Sequence, residues 1–287
     1  MPELPEIEIV RRSLFKKINK VKILNVKVNN KNLRYKVTHS LQKKLKNEKI
    51  LKISRRSKYL IFHFKNKLLL IHFGMSGKFL IIKNKDKKIF KTSFYYSLDI
   101  LPKHNHIHFI LNNGMILIYN DVRRFGFFKL FENTKLKNIS HLKKLGPEPF
   151  SNLFCIKYFQ KFVKNRSKNI KNLLMDQTFV SGLGNIYVNE ALFLSKISPQ
   201  KECSHLSKKN IKNLICNIRN VLKVAINQGG SSIKNFKNTQ GKSGNYQQFF
   251  NVYGQNDKNC SRISCKGKIK KIWISNRSSF YCNVCQK

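Results

Sequence analysis

The stretch His106-Ile-His-Phe-Ile-Leu111, Asn112-Asn-Gly114, Met115-Ile-Leu-Ile-Tyr119 sets two short apolar runs on either side of a turn signal. Asn and Gly tolerate the backbone that a tight strand reversal needs, so the stretch reads as an antiparallel hairpin. Similar β-branched and aromatic runs flank it at Val21–Val28, Tyr59–Phe64, Leu68–Phe73 and Phe125–Phe131. Many short strands with turn breaks predict an antiparallel sandwich or barrel-like domain. Upstream, Ile7, Val10, Leu14 and Ile18 recur at helical spacing, with acids first and Arg11, Arg12, Lys16 and Lys17 later. That order suits the helix dipole, and Pro5 is tolerated in a first turn, so 5–18 is expected to be a helix.

Downstream, Leu145-Gly-Pro-Glu-Pro149 interrupts any regular element and marks a boundary. Helical patterns follow. Ile211, Leu214, Ile215, Ile218, Val221, Leu222 and Ala225 make one apolar face, with Ser207 as N-cap and Gly229-Gly230 as the stop. Residues 236–247 are rich in Gly, Asn, Ser and Lys and read as a loop, and the tail from about 250 carries cysteines. The chain is therefore expected to be α+β. Residues 1–132 form a helix plus antiparallel β-sandwich, 133–150 a linker, 151–235 a helical domain, 236–249 a loop and 250–287 a β-hairpin. No internal repeat is present.

The 287 residues carry 58 Lys and Arg against 13 Asp and Glu, a formal net charge of +45. A composition crowded with Lys, Asn, Ile and Phe accounts for part of that excess. The remainder exceeds what solubility requires, and a polyanion is the natural partner. Glu3, Glu6 and Glu8 argue against a secretory leader, and the apolar run Leu68–Phe73 is interrupted by His72 and too short to span a bilayer. A cytosolic protein is expected, in which disulfides do not persist.

Cys260, Cys265, Cys282 and Cys285 have the spacing C-x4-C-x16-C-x2-C, close to a four-cysteine zinc ribbon. Lys268–Ile274 and Ser278–Tyr281 are expected to pair around Asn276-Arg277. Such a metal is structural, because four thiolates leave no open position. The isolated Cys155, Cys203 and Cys216 read as small core residues. His104, His106 and His108 alternate, which places them on one strand face. A metal triad there competes with the plainer reading of a strand beside a basic surface.

The start, Pro2-Glu-Leu-Pro-Glu6-Ile-Glu8, has two readings. One is a helix N-terminus decorated with acids. The other begins with removal of Met1, which leaves Pro2 as a secondary amine. An α-amino group titrates near ~8, so an appreciable fraction is neutral and nucleophilic at pH 7. Attack on a sugar carbon gives an iminium that permits elimination, with the Glu3 carboxyl beside it to handle protons. Ser181-Gly-Leu-Gly184-Asn185 precedes the helical pattern Ile186–Leu194. It is either a phosphate-approaching helix start or an ordinary tight turn with an Asn cap.

These motifs, together with Arg55-Arg-Ser-Lys58-Tyr-Leu60, His72-Phe-Gly-Met75-Ser-Gly77 and Asp121-Val-Arg123-Arg-Phe125-Gly126, fall in one register. The chain resembles bacterial formamidopyrimidine-DNA glycosylases, of the helix–two-turn–helix superfamily, from end to end. The resemblance implies a helix–two-turn–helix element in the helical domain and a lesion-capping loop at 236–249. It implies a monomer acting on damaged double-stranded DNA, excising oxidised purines and cleaving the abasic strand by β,δ-elimination. DNA is then expected in a basic cleft between the domains.

By the same resemblance Pro2 is the Schiff-base nucleophile and Glu3 its proton donor, while Lys58 serves β-elimination and Arg277 δ-elimination. His104, Arg123 and Arg166 contact DNA, and Asn185 contacts a phosphate. Met75, Arg123 and Phe125 fill the gap left by the flipped nucleotide. Two departures stand out. The first cysteine pair is C-x4-C where the family has C-x2-C, so the knuckle must be reshaped. In the loop, Gln240 and Ser243 replace the usual Asp and Pro. Two rivals are a paralogous glycosylase for oxidised pyrimidines and a non-catalytic zinc-ribbon DNA-binding protein. Leu4 argues against the first, where Gly is usual. Intact Pro2, Glu3, Lys58 and Arg277 argue against the second.

Overall fold

In the computed structural model the first helix, α1 (Leu4–Ile18), begins one residue earlier than its apolar spacing predicts. Glu3 is its N-cap, forming a reciprocal capping box with Glu6, and Pro5 sits where the missing N–H costs nothing. Leu4, Ile7, Val10, Leu14 and Ile18 face inward. The structure describes residues 2–38, 40–83, 89–91, 101–132, 135–164, 167–231 and 245–287. Arg166, Gln240, Ser243 and most of the expected capping loop lie outside the described residues.

Two antiparallel sheets follow. The first has strand order β1-β7-β8-β5-β6, from β1 (Ile23–Val28), β5 (Lys78–Lys83), β6 (Ile89–Lys91), β7 (Asn105–Leu111) and β8 (Met115–Asn120). The second has order β2-β3-β4-β9, from β2 (Lys52–Arg56), β3 (Tyr59–His63), β4 (Lys67–His72) and β9 (Phe127–Glu132). Their inner faces share one core, to which Val26, Phe79, Phe109, Leu117 and Tyr119 contribute from the first sheet and Leu60, Phe62, Leu69, Ile71 and Phe128 from the second. Phe62 stacks on Phe79 across the layers with centroids 6.2 Å apart. The quoted hairpin is β7–β8, pairing Phe109 with Leu117 and Ile110 with Ile116. β2 and β5 carry no alternation in the sequence. β2 is an edge strand whose one buried residue is Ile53, and β5 presents the unbroken apolar run Phe79–Ile82. A short helix, α2 (Ser40–Leu45), buries Leu41 and Leu45.

The chain divides into two compact units, Met1–Leu142 with Gly229–Asn245, and Lys143–Gln228 with Tyr246–Lys287. After α3 (Ser140–Lys143), the second unit is built from α4 (Ile156–Val163), α5 (Ile170–Met175), α6 (Asn185–Leu194) and α7 (Lys208–Asn227). α7 starts at Ser207, which accepts the N–H of Asn210 in a second capping box, and buries the seven apolar residues of its predicted face. α5 and α6 flank two consecutive turns. Asp176 accepts from the Thr178 backbone at 2.9 Å and its hydroxyl at 2.7 Å, and Gln177 bonds to both Gly182 N–H and Leu183 C=O. The hairpin β10 (Ile269–Ile274) and β11 (Arg277–Cys282) closes the chain. No helix among the described residues is long and apolar enough to cross a membrane.

Of the isolated cysteines, Cys203 is buried, but Cys155 and Cys216 are exposed. Cys155 is the N-cap of α4, where the chain enters the helix from solvent. Cys216 lies off the face defined by Leu214, Ile215 and Ile218, so helical periodicity turns it outward.

Candidate functional site

In the first unit, Pro2 and Glu3 are both buried at the head of α1. Glu3 N–H donates to Glu6 Oε2 at 2.9 Å. Glu6 Oε1 accepts the Ser231 N–H at 2.9 Å and its hydroxyl at 3.1 Å, which ties the segment after α7 to the same helix end. About one turn along α1, Glu8 meets Arg11, Arg12 and Arg55 at 2.7, 2.9 and 3.2 Å. Burial alone would raise the Glu8 carboxyl, but hydrogen bonds from Arg11 and Arg12 and the charges of Arg11 and Arg55 hold it at about 2. Arg55 also donates to the Ser57 carbonyl at 2.9 Å, fixing the two-residue turn Ser57-Lys58 between β2 and β3. Lys58 is buried there.

His72 was not among the expected site residues, although its motif was. Burial, then the charges of Lys58, Arg34 and His141, push its imidazole down to about 4, so it is neutral at physiological pH. Its Nδ1 accepts the Gly74 N–H at 3.1 Å, which leaves the proton on Nε2. The signal available in the sequence was the position of His72 at the head of the His72–Gly77 run.

Met75, Arg123 and Phe125 are brought together. Gly74 has φ +61, and a Cβ there would lie 2.4 Å from the Phe125 carbonyl carbon, so only glycine lets the loop before Met75 press against Phe125–Gly126. Buried Asp121 organises the other side, accepting from Ser76, Tyr119 and the N–H groups of Arg123 and Gly126. Met75 and Phe125 stay 43% and 44% exposed, and the Arg123 guanidinium sits 4.6 Å from the Phe125 ring centroid. Side chains of this size left half in water around a buried polar hub are displayed rather than packed. A cavity of about 610 Å³ adjoins them, lined by Asn32, Arg34, Arg123, Arg124 and Phe125.

His104 ends a short 3-10 turn, and its carbonyl accepts the Asp121 N–H at 3.1 Å. The histidine triad does not form. A bulge between Asn105 and Ile107 breaks the alternation, His106 is buried with Nε2 donating to the Asp121 carbonyl at 2.7 Å, and His108 lies beside Asn29.

In the second unit, Asn185 opens α6, and its Nδ2 donates to the Ser278 carbonyl at 2.9 Å. Lys171, almost wholly buried, donates to the same carbonyl at 3.0 Å and to the Ser279 hydroxyl at 2.5 Å. Phe280 N–H donates to Asn189 Oδ1 at 2.8 Å. β11 is thus sewn to α5 and α6, and Asn185 stands one residue from Arg277. Arg277 is exposed as the first residue of β11, not part of the turn as expected. The turn is Ser275-Asn276, both with positive φ (47 and 57), as a twist-matched two-residue hairpin requires. Glu190, fully buried on α6, accepts the N–H groups of Asn251, Val252 and Tyr253 at 2.9–3.0 Å, anchoring the lead-in to the hairpin.

The thiols of Cys260, Cys265, Cys282 and Cys285 lie within 4.8 Å of one another, the one such group of His, Cys, Asp or Glu among the described residues. Sγ separations of 3.9 Å (Cys260–Cys285) and 3.6 Å (Cys265–Cys282) exclude disulfides. They bracket the ~3.8 Å edge of a tetrahedron with ~2.3 Å Zn–S bonds, so the donors fit zinc. A Cβ on Gly267 would come 2.6 Å from the Cys282 sulfur, which leaves glycine as the fitting residue there. The longer knuckle is absorbed outward: Ile263 is 97% exposed and Ser264 has φ +66. Arg262 folds back over the Phe193 ring at 4.5 Å and donates to the Phe193 and Leu194 carbonyls at the end of α6.

Comparison with known proteins covers both units. The model of the formamidopyrimidine-DNA glycosylase N-terminal domain matches residues 1–128, and that of the formamidopyrimidine-DNA glycosylase H2TH domain matches residues 145–237. The formamidopyrimidine-DNA glycosylase of Bartonella tribocorum is 41% identical over 300 residues, with all of both chains covered. That of Rickettsia massiliae is 41% identical over 287 residues, covering 100% of this chain and 97% of the relative. Among solved structures, a Lactococcus lactis FPG mutant in complex with Fapy-dG-containing DNA aligns over 100% of both chains with TM-score 0.86 and 37% identity. The L. lactis protein with abasic-site DNA aligns over 99% of both at TM-score 0.85 and 37% identity. The wild-type protein with oxidised-pyrimidine DNA aligns over 100% of both, also at TM-score 0.85 and 37%.

Proposed function

The chain belongs to the formamidopyrimidine-DNA glycosylase family, and from that premise we propose that it excises oxidised purines from duplex DNA and cleaves the strand at the abasic site. The substrates are 8-oxoguanine and formamidopyrimidine lesions, and the action is cytoplasmic, on chromosomal DNA. The observation that carries the reading is the head of α1, where Pro2 and Glu3 are buried side by side and Glu3 is locked by Glu6.

Removal of Met1 frees the Pro2 amine, which attacks C1′ of the damaged nucleotide as the bond from C1′ to the base breaks. The base leaves with the bonding pair and takes up a proton. Glu3 protonates the ring oxygen, the sugar opens, and an iminium joins Pro2 to C1′. The iminium acidifies C2′, whose proton is lost as the 3′ phosphate departs, with Lys58 assisting. Loss of the C4′ proton then expels the 5′ phosphate, the step assigned to Arg277. His104, Arg123, Arg166 and Asn185 hold the duplex, and Met75, Arg123 and Phe125 occupy the gap left by the extruded nucleotide. Neutral His72, with Nε2–H available, suits a hydrogen bond to a phosphate. The four cysteines hold a structural zinc. The functional modules proposed are 1–132, the linker 133–150, 151–235, the capping loop 236–249 and the zinc hairpin 250–287.

A second reading, action on oxidised pyrimidines, draws on the L. lactis relative solved with such DNA. Duplexes carrying 8-oxoguanine or an oxidised pyrimidine distinguish the two, with product ends resolved on a gel. The expected result is faster cleavage at 8-oxoguanine with phosphates left on both ends. Cleavage at the pyrimidine lesion alone, or none at either, overturns the proposal.

A further inference from the structure

Trp273 is the one tryptophan in the sequence, and it is 68% exposed near the end of β10. An indole left mostly in water contributes little to a core, and the hairpin has other anchors. Ile269, Ile274, Phe280 and Cys282 are buried, Ser279 is gripped by Lys171, and the four thiols close the base. Trp273 pairs with Ser278, next to Arg277, so the ring stands at the tip of a ribbon braced along its length. Lys271 shares the strand face of Trp273, its ammonium 5.2 Å from the ring centroid, and Lys270 is exposed on the same ribbon. A rigid ring with cations around it, and no acid in 258–287, faces a polyanion rather than a protein or a lipid tail.

We infer that Trp273 is a DNA-binding residue whose indole packs against a base or deoxyribose of the bound duplex, beside the strand that Arg277 meets. This rests on damaged DNA being the ligand. Its contribution differs in kind from that of its neighbours. Lys270, Lys271 and Arg277 release counterions from phosphates, and that part of the affinity falls with salt. Packing of an aromatic face on a nucleotide is largely indifferent to salt. The braced ribbon holds the ring in place before DNA arrives, so little ordering cost is charged against the contact.

Because the sequence has no second tryptophan, emission excited at the red edge, where its ten tyrosines do not absorb, reports this position alone. Titration with a duplex containing a stable abasic-site analogue is expected to quench and shift the emission, saturating at the concentration where anisotropy of the labelled duplex saturates. Trp273→Ala is expected to weaken binding on the order of tenfold, with an unchanged slope of log affinity against log salt, and Trp273→Phe to recover most of the loss. Lys271→Ala is expected to lower that slope by about one unit instead. Zinc content is measured on each variant, and only variants carrying one equivalent are compared. Saturated binding by anisotropy with silent emission, or Trp273→Ala binding as tightly as the parent, overturns the inference while leaving DNA binding intact. Failure of the unaltered protein to bind the duplex at all overturns both.

Discussion

At the scale of single residues, the proposed chemistry depends on an amine that exists only after Met1 is removed, and this makes it testable without altering a side chain. An acyl group on the proline nitrogen, whether retained Met1 or a tag, delocalises the lone pair into an amide and abolishes nucleophilicity. Borohydride reduction on an abasic-site duplex is expected to trap a covalent complex mapping to residue 2, and blocked protein is expected to give none. Full lyase activity from protein shown by mass spectrometry to retain Met1 would move the nucleophile elsewhere, with Lys58 the first candidate. Glu8 makes a different kind of statement. Its carboxyl titrates at about 2 in the fold against a usual 4.5, so the folded state favours the ionised form. The associated stability is fully present above about pH 4.5 and is lost as pH falls toward 2. Glu8→Gln is expected to cost on the order of 1–2 kcal/mol at neutral pH, allowing for solvent screening of the exposed partner Arg12, and to flatten the acid limb of the stability curve. Thermal melts across pH 2–7 check both the size and the direction.

At the scale of elements, the hairpin and the two-turn segment behave as one piece, because Asn185, Lys171 and Asn189 all bond to β11. Burial, then the charge of Arg277, pushes the Lys171 ammonium down to about 7 from 10.5. The unfolded chain therefore binds more protons between those values, and stability rises with pH across that window. Lys171→Met is expected to remove this slope, as read from melts between pH 7 and 10. Loss of the metal should reach the same piece: Cys282→Ser is expected to abolish zinc binding and DNA binding while the β-sandwich stays folded. Near-parental DNA affinity in the zinc-free variant would break the link. Such elements were legible in unequal measure. The α1 and α7 periods, the Ser207 cap, the β7–β8 hairpin and the cysteine spacing each carry a local signal, and each was readable. β2 and β5 were not, because neither alternates: one is an edge strand with a single inward residue and the other is buried at successive positions through Ile81. The turn at Ser275-Asn276 was misplaced by one residue because Asn276-Arg277 looks equally turn-like in sequence, and only the pairing of Ile274 with Arg277 decides it. The partners of Asn185 and Lys171, and the charges that act on His72, come from residues far apart in sequence, which no local pattern encodes.

At the scale of the whole molecule, a formal charge of +45 sets how the protein approaches DNA, but only cations close to phosphates release counterions. The remaining lysines add a diffuse attraction that salt screens beyond about 8 Å at physiological ionic strength. The two parts are separable. Diffuse charge raises the association rate for every sequence, whereas phosphate contacts set a linear fall of log affinity with log salt. With roughly 6–10 phosphates neutralised, affinity is expected to drop by about 10³–10⁵ between 50 and 200 mM salt, for undamaged and abasic duplexes alike. Their ratio should hold, because both share the backbone contacts. Lys58→Ala is then expected to weaken both and to reduce the slope by about one. Asn185→Ala should weaken both without changing the slope, since an amide releases no counterion. Phe125→Ala should leave the slope intact and lower the ratio, because a gap-filling ring matters only where a nucleotide has been extruded. Fluorescence anisotropy at four salt concentrations measures all three. An affinity nearly flat across that range would mean the basic residues are spread over the surface as compositional excess, and binding would have to rest on groups such as Phe125 and Met75 instead.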